Sequence, residues 1–339
     1  MVSALCSILW KDLDSYTPSA GVSNFCHFDR MAFSWLRRHS GTVMVCDADK
    51  GMGDILLERT WVFNTSMALV REACDGCNSS DAAQLHTSCQ MTMLAIADRY
   101  RYFVFDDKTW DLILANTTST QVGKFRLRPK IHKNPMGARP IFNLGNSALK
   151  NTGILLCKIF SPLQAQCNYV LNSTDHLLER IKLLGDVNWD NYELFVSDIS
   201  NLYPSVNRVH LMSTLRTNLC RLYGHTSKSA CSMALLKLCM DHQLVTFNGC
   251  TYRVTRGIAT GFASGVFLAN CYLDDLDKAV AEMDCTLFWG RLCDHQKRHG
   301  AASGKYAQQL ALRHKLGDAK RRAFCGFLKP QVQFFWWTA

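Results

Sequence analysis

At 339 residues the chain can bury a large core, and its 48% hydrophobic against 19% charged residues excludes an intrinsically disordered protein. The formal net charge of +10 suits a polyanionic partner, and no apolar run approaches the roughly 20 residues of a membrane span, so no membrane partner is expected. Sixteen cysteines, scattered along the whole chain, suit reduced thiols and an intracellular location, with the nucleus as one admissible compartment. Residues 1–10 have no basic segment ahead of their apolar stretch, so no signal peptide is expected.

In chain order, apolar periodicity predicts helices over residues 25–38, 61–72 and 82–100. Between the second and third lie Cys74, Cys77, His86 and Cys89, whose spacing could close a tetrahedral zinc site or could simply fall within a helix-loop-helix. A linker over 115–123 leads into a basic run containing Lys124, Arg126, Arg128, Lys130, His132, Lys133 and Arg139, either a solvated loop or a hairpin for phosphate. Helices follow over 151–166 and 175–184, then an apolar strand over 193–198 that ends on Asp198, with Tyr203 five residues later. A carboxylate at a strand end can hold Mg²⁺ while leaving the remaining octahedral positions to phosphate and water.

Helices over 209–223 and 229–241 precede two β-rich runs joined by Asn248-Gly249, a strong hairpin signal. The glycines Gly257 and Gly261 then permit close backbone approach ahead of a helix of small and apolar residues. Two segments compete to supply a second metal-binding acid. Tyr272-Leu273-Asp274-Asp275 falls on the helix that this loop opens, where Asp274 and Asp277 would line one exposed face. Residues 286–295 have the apolar lead-in of a strand and present Arg291, Leu292, Asp294 and His295. A basic tail follows and is read as supplying no further strand of that sheet.

Four stretches in this order resemble the reverse transcriptase of Penelope-like retroelements: Ala48-Asp49-Lys50-Gly51, Pro129-Lys130 through Arg139-Pro140, Asp198 through Tyr203, and Gly257 through Asn270. The resemblance covers about residues 40–295 and implies an α+β fold. Fingers and palm would occupy 116–295, behind a mostly helical N-terminal extension over 1–115 and ahead of a divergent tail over 296–339, with no identifiable thumb. By resemblance, Asp198 and Asp294 would be catalytic and bind Mg²⁺ or Mn²⁺, Lys130 and Arg139 would hold a deoxynucleoside triphosphate, and Tyr203 would exclude a 2′-hydroxyl. Gly257 and Gly261 would support the template base, and His132 and Lys133 would contact an RNA template paired to a DNA primer.

The sequence departs from that family where Leu292 replaces an aromatic and His295 replaces the second acid, which leaves less charge to concentrate divalent ions. A non-catalytic remnant that binds nucleic acid through charge is therefore the rival from another class. An RNA-dependent RNA polymerase fits less well, because those enzymes usually place a polar selector where Tyr203 stands.

Overall fold

Five of the described helices open on a short polar side chain, Asn78, Asp106, Ser173, Asn207 or Thr226, whose oxygen accepts from an N–H group that the first helical turn leaves without a partner. In the computed structural model, residues 27–117, 119–199, 201–284, 286–293, 307–314 and 332–336 are described. They fall into two compact units, the first of residues up to Glu72 with Phe125–Ile141, the second of Ala73–Lys124 with Phe142 onward.

The chain begins with α1 (His27–Arg38), the antiparallel pair β1 (Val43–Asp47) and β2 (Asp54–Glu58), and α2 (Arg59–Ala73). Between β1 and β2 the backbone takes positive φ at Lys50 (60°), Gly51 (65°) and Gly53 (86°), a run of left-handed conformation that glycine makes cheap. Next come β3 (Cys74–Cys77), α3 (Ser79–Tyr100) and α4 (Asp107–Ala115), the last two opened by Asn78 and Asp106, which accept from the N–H of Asp81 and Thr109. The sequence reading did not find α4, although Asp106 caps it and Trp110 and Ile113 are fully buried on one face. The expected basic hairpin is present as β4 (Gly123–Lys130) and β5 (Gly137–Asn143).

The rest of the second unit contains α5 (Lys150–Ala165), β6 (Val170–Leu171), α6 (Thr174–Lys182) and β7 (Tyr192–Ile199). These lead to the short α7 (Leu202–Ser205), α8 (Arg208–Tyr223) and α9 (Ser227–Asp241). Then follow β8 (Leu244–Phe247), β9 (Cys250–Val254), α10 (Gly265–Ala281), β10 (Thr286–Cys293), β11 (Ala307–His314) and β12 (Val332–Trp336). Leu211, Leu215 and Leu219, spaced one helical turn apart, form the fully buried stripe of α8. α9 is buried nearly all round, through Cys231, Ser232, Leu235, Leu236, Leu238 and Cys239, and packs on α3, α5 and α8 as the centre of the unit.

The Asn248-Gly249 signal is confirmed: β8 and β9 pair antiparallel, and the two turn residues have φ of 49° and 76°, as a two-residue hairpin of this twist requires. On its other side β9 pairs with β3, so the segment expected as a helix-loop-helix is in fact helix, strand, helix. A second sheet has the order β12-β7-β11-β10-β6. Two of its strands come from the tail that was read as contributing none. β11 pairs antiparallel with both β7 and β10, and β12 covers the far side of β7.

Candidate active site

The first unit carries the basic hairpin and the Asp49 turn, and two ion pairs join them. Arg128 Nη2 lies 2.6 Å from Asp47 Oδ2, and Arg139 Nη2 lies 3.0 Å from Asp49 Oδ2. The two pairs differ in setting. Arg128 and Asp47 remain partly in solvent, where such a pair contributes about 0–1 kcal/mol, whereas the Arg139 and Asp49 side chains are only 9% and 3% exposed. A charge held in that depth depends on its partner, because removing one member leaves the other uncompensated. Lys130 is half-buried on β4, and His132 and Lys133 are exposed in the loop that follows.

In the second unit the backbone of Asp198 is the last residue but one of β7. Its register partners are Gln308 of β11 on one side and Gln333 of β12 on the other. Gln308 also pairs with Leu292, so Asp198 and Leu292 share one rung across β11, about two strand spacings or 10 Å apart. Asp294, two residues further along the chain, lies outside the described residues. Among the described residues no three His, Cys, Asp or Glu side chains group in a way that could hold a metal ion. That holds too for Cys74 and Cys77, on β3, and His86 and Cys89, on α3.

After β7 the chain turns at Asn201, whose φ of 52° is one that asparagine tolerates better than most side chains, and α7 presents Tyr203. The loop at Gly257 is drawn against it: Ile258 N–H donates to the Tyr203 carbonyl at 2.8 Å. A Cβ on Gly257, at φ 59°, would stand 2.2 Å from that carbonyl oxygen and 2.6 Å from Pro204 Cα, so only glycine fits. Gly261, at φ 119°, likewise lies against the Phe142 carbonyl, and Phe142 N–H donates to Thr260 O at 2.7 Å. The structure thus brings Tyr203 and Gly257 together, two positions that sequence separates by more than fifty residues. Arg208, which the sequence reading did not single out, donates from Nε to Gly257 O at 2.7 Å. Burial lowers its pKa, with the Asp241 charge acting in the opposite direction.

The acidic helix end requires correction. Tyr272, Asp274 and Asp277 do lie on α10, but Asp274 and Asp277 are 5% and 0% exposed rather than solvated; Asp275 alone of the three acids is exposed. Each buried acid has a cation. Lys278 bonds Asp274, and Arg291 of β10 forks onto Asp277, with Nη2 to Oδ2 at 2.6 Å and Nε to Oδ2 at 3.0 Å. Arg291 Nη1 also donates to Asn270 Oδ1 at 2.6 Å, and Trp289 Nε1 donates to Asp277 Oδ1 at 3.0 Å. Burial raises the Asp277 pKa, opposed by Arg291 and Trp289. A sequence signal for this network existed: one arginine inside an apolar strand must find a buried acceptor. The network ties α10, which follows the Gly257 loop, to β10, which leads to Asp294.

No protein-family model and no curated protein matches the sequence. Solved structures do match. Telomerase from Candida tropicalis in complex with the TWJ fragment of telomeric RNA superposes with a TM-score of 0.54 at 10% identity, over 91% of this chain and 50% of that one. The fold is reverse-transcriptase-like. Telomerase from Candida albicans, also in complex with the TWJ fragment of telomeric RNA, gives 0.51 at 10% identity over 91% of this chain and 52% of its own. Apo telomerase from Candida tropicalis truncated from its C-terminal domain gives 0.51 at 11% identity over 86% and 57%. The chain spans about half the length of the telomerase chains it matches. These neighbours show a mixed helix and sheet fold shared with telomerase; among the described residues no helix is long and apolar enough to cross a membrane.

Proposed function

We propose that the chain is the reverse transcriptase domain of a Penelope-like retroelement, an RNA-directed DNA polymerase acting on an RNA template, a DNA primer and deoxynucleoside triphosphates. The observation that carries this reading is the rung Asp198, Gln308, Leu292, which sets the end of β7 level with the end of the β10 and β11 hairpin. In this reading Asp198 and Asp294 hold Mg²⁺ or Mn²⁺. The donor chemistry fits, since carboxylate oxygen suits a hard octahedral cation and one acid at a strand end leaves positions for phosphate and water. When bound, the ions would supply charge neutralisation at the transferring phosphoryl group.

The chain's own residues do the rest. Tyr203, braced by the Gly257 loop, stands over the sugar and excludes a 2′-hydroxyl. Gly257 and Gly261, whose lack of Cβ lets the backbone pack onto the Tyr203 and Phe142 carbonyls, hold in place the loop that would support a template base. Lys130 and Arg139 bind the triphosphate, with Asp49 holding the Arg139 guanidinium in one orientation until it does. His132 and Lys133, exposed beyond β4, contact template backbone.

Primer extension on poly(rA)/oligo(dT) with Mg²⁺ or Mn²⁺ tests the proposal, and extension that Asp198→Ala abolishes is the expected result. A second reading, a nucleic-acid-binding remnant, is favoured by Leu292 and His295 standing where an aromatic and an acid are expected. Salt-dependent binding of the same duplex without any extension would establish the remnant instead.

A further inference from the structure

Arg208 opens α8, and its three described hydrogen bonds all end on main-chain carbonyls: Nε to Gly257 at 2.7 Å, Nη1 to Met240 at 2.7 Å and Nη2 to Val254 at 3.1 Å. Met240 lies in the last turn of α9, where helical carbonyls have no N–H partner and the helix dipole favours a cation. Val254 ends β9, and Gly257 follows in the loop. One planar fork therefore joins a helix end, a strand end and the glycine loop, a geometry that a guanidinium can satisfy and an ammonium cannot.

The hold on Gly257 reaches Tyr203. On the face away from Arg208, the same short segment gives its Ile258 N–H to the Tyr203 carbonyl, and the Gly257 backbone approaches Tyr203 and Pro204 as closely as a residue without Cβ permits. The Tyr203 ring is bounded by the start of α10, where a Cβ on Gly265 would lie 3.1 Å from its Cε1. A shift of the loop away from Arg208 would thus change how far the tyrosine projects.

We infer that Arg208 is a positioning residue for sugar selection: it fixes Gly257, Gly257 fixes Tyr203, and its loss relaxes discrimination between ribo- and deoxyribonucleotides. The inference rests on the polymerase reading above. Three variants test it: Arg208→Met, Arg208→Lys, which keeps the charge at the end of α9 but loses the fork, and Gly257→Ala, which displaces the loop with Arg208 intact.

The first readout is amide hydrogen exchange, which needs no activity. Ile258 should exchange about tenfold faster in both Arg208 variants while Leu235 and Leu236 inside α9 stay protected. Unchanged exchange at Ile258, an equal acceleration through α9, or wild-type behaviour of the lysine variant would each overturn the positioning role. The second readout is the ratio of kcat/KM for dTTP over UTP on poly(rA)/oligo(dT), expected to fall about tenfold in all three variants. A ratio within about twofold of wild type overturns the selection role. A wild-type chain that does not extend the primer refutes sugar selection together with the polymerase reading, and exchange then still decides whether Arg208 holds the loop.

Discussion

Arg291 and Asp277 show how a charge can lie at zero exposure in this protein, because five described hydrogen bonds and ion contacts around the guanidinium replace its water. Arg291→Met should therefore cost about 3–5 kcal/mol in urea unfolding near neutral pH, since it strands a buried carboxylate. Adding Asp277→Leu should recover at least about half of that loss, because no charge then remains to be desolvated. A double variant as unstable as the single one would mean that volume, not charge, sets the cost. The thiols make a second residue-scale prediction. Burial raises Cys89 from 9.0 to about 11, and Cys74, with Asp75 adding to the effect, to about 12. A raised folded pKa means the unfolded thiol ionises first, so this stability is complete below about pH 9 and is lost as pH rises toward 11. Cys89→Ala should flatten the fall of the urea midpoint between about pH 8 and 10.5. In the native protein a thiol reagent at neutral pH should modify exposed Cys250 while sparing Cys74 and Cys89.

Among the elements, the β8 and β9 hairpin and the Gly257 loop both depend on positive φ, but for different reasons. A Cβ on Gly249 would project into open space, so Gly249→Ala meets only the conformational penalty of about 1–2 kcal/mol. Gly257→Ala adds a collision with the Tyr203 carbonyl and should lower the melting temperature by clearly more; equal losses would show that the loop has room to retreat. The hairpin was legible because a two-residue turn writes its chemistry into adjacent residues. The helices were legible because caps and a 3.6-residue period are local as well. α4 escaped despite both signals, since the segment is short and its burial depends on Trp110 finding the core. Asp274 and Asp277 were placed on the correct helix and assigned the wrong environment, because periodicity states which residues share a face but not what covers it. That information sat fourteen residues away, in Arg291. Strand β12 was illegible for the same reason carried further: its partner, β7, lies more than a hundred residues earlier, and β11, although it follows β10 in the chain, has its other flank on β7 as well.

For the whole molecule, the net charge of +10 makes any affinity for nucleic acid strongly dependent on salt. Replacing exposed Lys124 or Arg126 by alanine should weaken binding of a primer-template duplex uniformly across sequences and lower the slope of log affinity against log salt by about one each. An unchanged slope would place the contact surface elsewhere. The tail has a structural part as well as a charged one. β11 fills the ladder between β7 and β10, and β12 covers the outer side of β7. A chain cut ahead of Ala307 would expose unpaired N–H and C=O groups along both flanks of β7 and one flank of β10. Such edges are templates for other copies of the same strand, so the shortened protein should self-associate into β-rich aggregates as it is expressed, whatever its fate as a polymerase.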